Sequence, residues 1–600
     1  EISVRDWSSD VCSSDLELRI PYNPAWEEVR VEEAFVRSPK GAVHTIDPRE
    51  INVMDQPWAG TAPRYPAGKI LVVSFPGLEE GSTISYRYAF TSKGWNEPAF
   101  VEPFQAMEPV GDKTVRVECP PGVNLRVITA DNGFGATRAW RPFPRGFVSL
   151  SQGEDRGMEV KILQAKNVPP AMREEMLPAL YAFAPSMAVA SMPTEMFAAS
   201  MSEILARQAS ERSFASAKAR EIVRGLSGDR ERIEAVWRYV ARHVRLVDIP
   251  LAESLPHMMS GADTTLADGY GHQADRAVLA AAMLTSLGFK TDFVLATSIP
   301  EGDPLFDLAR GFPATSLFVS LLVRVSTPSG DISIGDTDQY APLGATVHAG
   351  MYGLTLSSMA WETITVPSAE IGNKTETRVL MRVNASGDAS VTFRKTYFGS
   401  SATSFIRAAL EMTPEEKRRA FEEIVTSVSR SALATSPRVI SVDRYPPSEE
   451  FSLEIKGYAG KSGDVMTVRI PWLMRALPLV SSEERVHPLF TGPPREAVVN
   501  IEIELPEETQ EVVSMPMGAY AAAPAGTASV SMEGMLEGEG SGRKVVISQR
   551  VSTKPGTVWP DRYPELVSTH KALSAADASL VVVRLGAGEN RGGAQARDKE

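Results

Sequence analysis

Nucleophilic catalysis by a thiolate needs a cysteine beside a base, and metal-assisted hydrolysis needs His, Asp or Glu ligands at set spacings. The 600-residue chain offers little of either: it has 2 cysteines, Cys12 and Cys119, and 7 histidines. Two cysteines exclude a disulfide scaffold and a zinc site of the multi-cysteine kind. Cys119 ends an alternating stretch before Pro120-Pro121-Gly122, where it reads as a small core hydrophobe. His257, His272 and His348, with Asp263, Asp268, Asp275, Asp336 and Asp338, are the set that could ligate a divalent metal. None shows a helical His-x-x-x-His spacing, so the plainer reading is solvated loop histidines and turn-forming aspartates, with no metal and no cofactor. Asp336, followed by Thr337, suits a local turn bond to backbone N–H groups. The acidic run around Glu502 to Glu511 lacks the glycine-bearing loop of a calcium site.

The composition is that of an ordinary globular protein, with 43% hydrophobic and 23% charged residues. At this length roughly three or four domains are expected. A net charge of -13 argues against a nucleic-acid partner. No stretch reads as an integral membrane segment: the least polar, Leu177 to Thr194, carries Pro178, Pro185 and Pro193 and suits a buried strand instead. Glu1 to Leu16, with its Asp6 to Leu16 string DWSSDVCSSDL, reads as the translation of a sequencing adapter, a non-native scar on a metagenomic-type fragment. Cys12 falls within it, and on this reading the true N-terminus and any export signal are not in this sequence.

The elements that would position the chemistry follow from periodicity. Residues 17–165 are strand-like: VRVEEAFV and AVHTI flank the turn Ser38-Pro39-Lys40-Gly41, and KILVVSFPGL and STISYRYAF flank Glu79-Glu80-Gly81. This predicts an N-terminal β-sandwich. Residues 166–357 predict an α+β domain. Its helices run over Glu195 to Gln208, Phe214 to Leu226, Asp229 to Val247 and Gln273 to Leu287, with strands at Thr291 to Thr297, Leu317 to Val325 and Asp331 to Gly335. The alanines of QADRAVLAAAMLTSL suit a helix lying close against a sheet. Residues 358–585 return to strands, with a hairpin through Asn384 to Asp388 and one helix at about 413–430, started by the capping box of Thr413, Pro414 and Glu416. Residues 586–600 read as a disordered tail.

The middle block resembles the transglutaminase-like cysteine hydrolase superfamily. FPGLEEGSTISYRY (Phe75 to Tyr88) is similar to the β-sandwich domain of unknown function that precedes that core in bacterial proteins. GYGHQADRAVLAAAMLTSLGFKTDFVLAT (Gly269 to Thr297) resembles the nucleophile helix and the strand behind it, and LFVSLLVRV…DISIGDTDQYAPLG (Leu317 to Gly344) the next strand pair. The resemblance implies a multidomain, mainly β protein with a central α+β domain: β-sandwich, transglutaminase-like (papain-like) core, C-terminal β-sandwich-type region.

The resemblance also implies a Cys, a His and an Asp, around a pattern Gly, Asp, Cys, any, Asp. Here the run is Gly271, His272, Gln273, Ala274, Asp275, so Gln273 stands at the cysteine, Ser320 falls near the expected histidine, and Asp336 alone matches. An amide is no nucleophile and a hydroxyl no neutral-pH base, and losing the nucleophile of such a hydrolase costs about a million-fold in turnover. The expectation is therefore a pseudoenzyme with a degenerate triad, acting as a binding or scaffolding protein of the bacterial cell envelope. Its partner would be a protein, peptide or glycan, with His272 and Asp275 as residues that could line the old cleft. For His272 an exposed polar loop residue is the plainer reading. The alternatives are an active cysteine peptidase, amidase or acyltransferase, and a metal-assisted hydrolase using the His and Asp set above.

Overall fold

The computed structural model describes residues 16–586 apart from 94–98, 336–337, 369–370, 475–476, 478, 524–525, 540–541 and 575–578. The chain is mainly β, built of several sheets, and divides into two compact units. One comprises the chain through Gln339 together with Gly350–Thr365; the other comprises Tyr340–Ala349 and everything from Val366.

The first unit opens with two small sheets. Leu16–Tyr22, Lys69–Phe75 and Ile51–Asp55 form one, and Val43–Thr45, Glu27–Arg37 and Thr83–Ser92 the other. Ile20, Val36, Leu71, Val73, Phe75 and Ile84 lie in a shared core. The expected hairpin from Glu27–Arg37 into Val43–Thr45 forms. Lys69–Phe75 and Thr83–Ser92 do not pair with each other: the first is bonded within one sheet, the second within the other. Gly77 and Gly81, at φ 73° and 86°, sit in the turn that carries the chain across; positive φ there costs glycine nothing. A further layer comprises Ser149–Asp155, Met158–Val168 and Val110–Cys119, and another Ala99–Pro103, Ser186–Ala190 and Arg126–Ala130. Ser186–Ala190 is buried at every position, because it is the middle strand and both its faces are covered. Although it follows residue 165, it pairs with two strands that precede it.

The rest of the unit is built around one helix on one sheet. Gln273–Ser286 is buried at Ala274 through Leu284, and its alanines let it lie close to strands Lys290–Pro300 and Phe318–Thr327. These belong to an antiparallel sheet in the order Gly330–Ile334, Phe318–Thr327, Lys290–Pro300, Met351–Thr355, Ala360–Thr363. Helices Thr194–Ser210, Ser213–Ile222 and Asp229–His243 pack on the other side of the central helix. In Asp229–His243 the buried residues are Ile233, Val236, Trp237 and Val240, a stripe at helical spacing.

In the second unit, among the described residues, nine strands share one sheet, including the hairpin Lys374–Val383 with Ala389–Phe398. Gly460–Ser462, Val465–Arg469, Leu580–Leu585 and Thr509–Ser514 form a smaller sheet. Met381, Phe451, Ile501, Ile547, Met466 and Val583, drawn from both sheets, share one core. The capping box forms: Thr413 Oγ1 accepts from the Glu416 N–H, and Glu416 accepts from the Thr413 N–H.

The expectation of one helix in this region is corrected to three among the described residues: Gly399–Glu411, Pro414–Val428 and Tyr563–Ser574. The first carries no side-chain cap. It starts directly off a strand because Gly399 adopts φ 54°, where a Cβ would meet the Ile371 carbonyl oxygen at 2.6 Å. The third buries Tyr563, Leu566, Val567 and Leu573, a helical spacing that its Thr and Ser residues obscure.

Candidate functional site

The start of the central helix collects most of the chemistry-bearing side chains. Gln273 is its first residue, and His272 is its N-cap. The Gln273 Nε2 donates to Ser320 Oγ at 3.0 Å, and its Oε1 accepts from the Leu321 N–H at 3.2 Å. Both ends of the amide are thus satisfied by the strand Phe318–Thr327, and the side chain acts as a strut between helix and sheet. The space beside it is lined by Trp237, Val240, Arg276, Leu321, Val323 and Ile334 and amounts to about 20 Å³, room for about one water. Asp336 and Cys12 lie outside the described residues. Cys119 is buried with Phe104, Leu125 and Leu163 in the core of the N-terminal sheets.

His272 is fully buried, which corrects its reading as an exposed loop residue. A helix start leaves N–H groups without partners, and His272 fills one: its Nδ1 accepts from the Asp275 N–H at 3.3 Å. Its Nε2 therefore carries the proton and donates to the Met258 carbonyl at 3.0 Å. Burial pushes its pKa down, although Asp275 pulls the other way, so the ring is neutral. With both nitrogens occupied by backbone, it is closed to a metal or a substrate.

Asp275 is also fully buried and is satisfied on every side. Its Oδ1 accepts from the Ser260 N–H at 2.7 Å; its Oδ2 accepts from the Tyr65 hydroxyl at 2.6 Å and from Arg64 Nη2 at 3.1 Å. The helix N-terminus favours a carboxylate there as well. Arg64 reaches further, donating to Asp268 at 2.6 Å and to the Tyr270 carbonyl at 3.0 Å. The Tyr65 hydroxyl accepts from the His272 N–H at 3.0 Å, and its ring stacks on the imidazole with centroids 5.1 Å apart. Burial first, and Asp275 second, raise the Tyr65 pKa well beyond its usual value. Arg276 caps a neighbouring helix, donating to the Ala241 carbonyl at 3.2 Å at the end of Asp229–His243.

Arg64 and Tyr65 were not legible as site residues. They come from the loop segment Pro63-Arg64-Tyr65-Pro66, just before strand Lys69–Phe75 and some two hundred positions before their partners. An arginine and a tyrosine held between two prolines was the available signal.

Of the remaining members of the metal-ligand set, Asp263, Asp268 and His257 have other partners. Asp263 accepts from the Ala215 N–H at 2.8 Å, Asp268 is bonded to Arg64, and His257 stacks on Trp26 with centroids 4.9 Å apart. His348 belongs to the other compact unit. Among the described residues no group of three or more His, Cys, Asp or Glu side chains could hold a metal ion, and no helix is long and apolar enough to cross a membrane.

Residues 14–169 match the profile of a family described as a domain of unknown function with solved structure, DUF3857. No curated protein matches the chain. Among solved structures, a "putative cysteine protease" from Cytophaga hutchinsonii aligns at 11% identity with a TM-score of 0.20, over 44% of this chain and 76% of that one. A "putative protease" from Parabacteroides distasonis aligns at 16% identity with a TM-score of 0.62, over 95% of this chain and 92% of that one. This last match shows that the two chains share a fold along nearly their whole lengths.

Proposed function

We propose that the chain is a catalytically silent transglutaminase-like protein that acts by binding or scaffolding in the bacterial cell envelope. The observation that carries this reading is the Gln273–Ser320 hydrogen bond, 3.0 Å long. In the superfamily that the sequence resembles, the helix start holds a thiolate and the facing strand its base. Here the same two places hold an amide and a hydroxyl that bond to each other. The helix N-terminus still favours negative charge, but Asp275 occupies that field as a structural anion, already bonded to Arg64, Tyr65 and Ser260. The shared fold with a protein described as a putative protease supports only the fold in this reading; the silence rests on the two residues. The envelope placement rests on the resemblance alone, and immunodetection in periplasmic against cytoplasmic fractions of the producing cell tests it.

The activity test is direct. Purified protein is assayed for peptide hydrolysis and for amine incorporation, with and without iodoacetamide. No turnover above the uncatalysed background is expected in either arm. Turnover abolished by the alkylator would overturn the proposal.

A further inference from the structure

The first unit holds a pocket of about 520 Å³ whose lining includes neither Gln273 nor Ser320. That volume suits a small molecule or one or two side chains. One wall is a tight turn: the Asn23 carbonyl accepts from the Trp26 and Glu27 N–H groups at 3.1 and 2.7 Å, and Glu27 Oε2 accepts from the Asn23 N–H at 2.6 Å. The turn presents Trp26, whose ring stacks on His257 from the facing wall. Glu253 stands at the rim, tied through Gln56 to Trp58, whose Nε1 donates to Gln56 Oε1 at 2.7 Å. Phe197 and Leu255 add apolar surface, and the described lining contains no lysine or arginine.

We propose that this pocket binds an organic cation, an ammonium or guanidinium group on an apolar stem, between the Glu27 and Glu253 carboxylates with the stem against Trp26. Two carboxylates with no cation between them repel each other, and the charge of Glu27 raises the pKa of Glu253, behind the larger effect of its partial desolvation at the rim. Burial likewise raises Glu27 and lowers His257, so the imidazole does not supply the missing positive charge. A ligand cation relieves the repulsion, and an indole face adds attraction. A neutral ligand leaves the repulsion in place, and an anion adds to it. The inference goes beyond the silent-site reading and stands whether or not Gln273 abolishes catalysis.

The test is calorimetric or NMR titration of the full chain. The probes are 1,5-diaminopentane, acetyl-Ala-Lys-Ala-amide, and the same peptide acetylated on its lysine. Saturable binding of the first two, with Kd of about 10 mM or tighter, and none of the acetylated peptide, is expected. A peptide at least about tenfold tighter than the diamine assigns the cation to a polypeptide side chain; equal affinities assign it to a free amine. Glu253→Gln, at an exposed position, should weaken binding several-fold with the circular dichroism spectrum unchanged. Glu27→Gln combined with it should weaken binding at least about tenfold. Equal binding of the acetylated peptide, undiminished binding by Glu253→Gln and by the double variant, or no binding of either cation would overturn the proposal.

Discussion

The start of the central helix and the pocket beside it meet at Met258, whose carbonyl accepts from His272 while the residue also lines the pocket. They are built on opposite principles. At the helix start the buried Asp275 carboxylate is paired with Arg64 and Tyr65, and the space beside Gln273 is about 20 Å³. In the pocket two carboxylates stand with no cation among the described lining residues, around about 520 Å³. The residues that a nucleophile search singles out are thus the ones that hold the fold together, and the available space lies where no nucleophile is. A buried hydrogen-bonded network specifies structure; a pair of like charges with no cation in a concavity calls for a ligand.

The largest effect that separates the two comes from the anion of the network. Asp275→Ala removes the buried partner of Arg64, Tyr65 and the Ser260 N–H, and should cost about 3–5 kcal/mol, read by urea unfolding. Glu253→Ala, in the pocket, should change stability by less than about 0.5 kcal/mol. Equal costs would erase the distinction between a structural and a vacant site.

Acid should act next, through histidines that folding holds neutral. The ordinary histidine pKa of about 6.5 is lowered in the fold for His272 by burial, and for His348 to about 4. As pH falls below about 6.5 the unfolded chain binds protons that the folded chain refuses. Stability therefore falls with pH and levels off only below the folded values. His348 alone should remove about 2 kcal/mol by pH 5. For His272 the steepest slope is about 1.4 kcal/mol per pH unit. His272→Asn, which keeps an N-cap acceptor, should flatten the decline between pH 7 and 5.5 in denaturant titrations. His257→Asn, at a half-buried position on the pocket wall, should flatten it less.

What was legible in the sequence divides along the same line. Local signals located the central helix, whose alanine run spans its buried positions, the Thr413 capping box and the Asn384 to Asp388 hairpin. Each needs only neighbours within a few residues. The burial of His272 was not legible, because it depends on Tyr65, 207 positions earlier. The same separation hid Arg64. The pocket was invisible for the same reason, since Trp26 and His257 meet only in the folded chain. Single-sequence periodicity reports which face of an element is apolar and is silent on which distant element covers it.

A smaller change tests how much of the network passes through one oxygen. Tyr65→Phe keeps the ring on His272 but leaves the His272 N–H without its acceptor and Asp275 with one donor fewer. It should cost about 1–3 kcal/mol in thermal or urea unfolding. A cost near zero would mean that Arg64 and the Ser260 N–H suffice to hold Asp275.

At the helix start, the smallest effect is expected at the position that looks most like an active site. Gln273 makes two neutral hydrogen bonds, to Ser320 and the Leu321 N–H, each contributing about 0.5–1.5 kcal/mol. Gln273→Cys should therefore lower stability by only about 1–2 kcal/mol and leave the fold intact. Its thiol would sit at the helix start, in a field that favours the thiolate. Ser320→His added to it would supply a base from the facing strand. Because the space there holds about one water, alkylation of the Gln273→Cys thiol by iodoacetamide should be slow in the native protein and fast once it is unfolded in urea. Rapid native alkylation, with amine incorporation by the double variant, would show that the cleft opens and that two substitutions are all that separate this chain from a catalyst. Slow alkylation and no turnover would show that the packing around the strut has closed as well, so that silence is a property of the whole helix start rather than of Gln273.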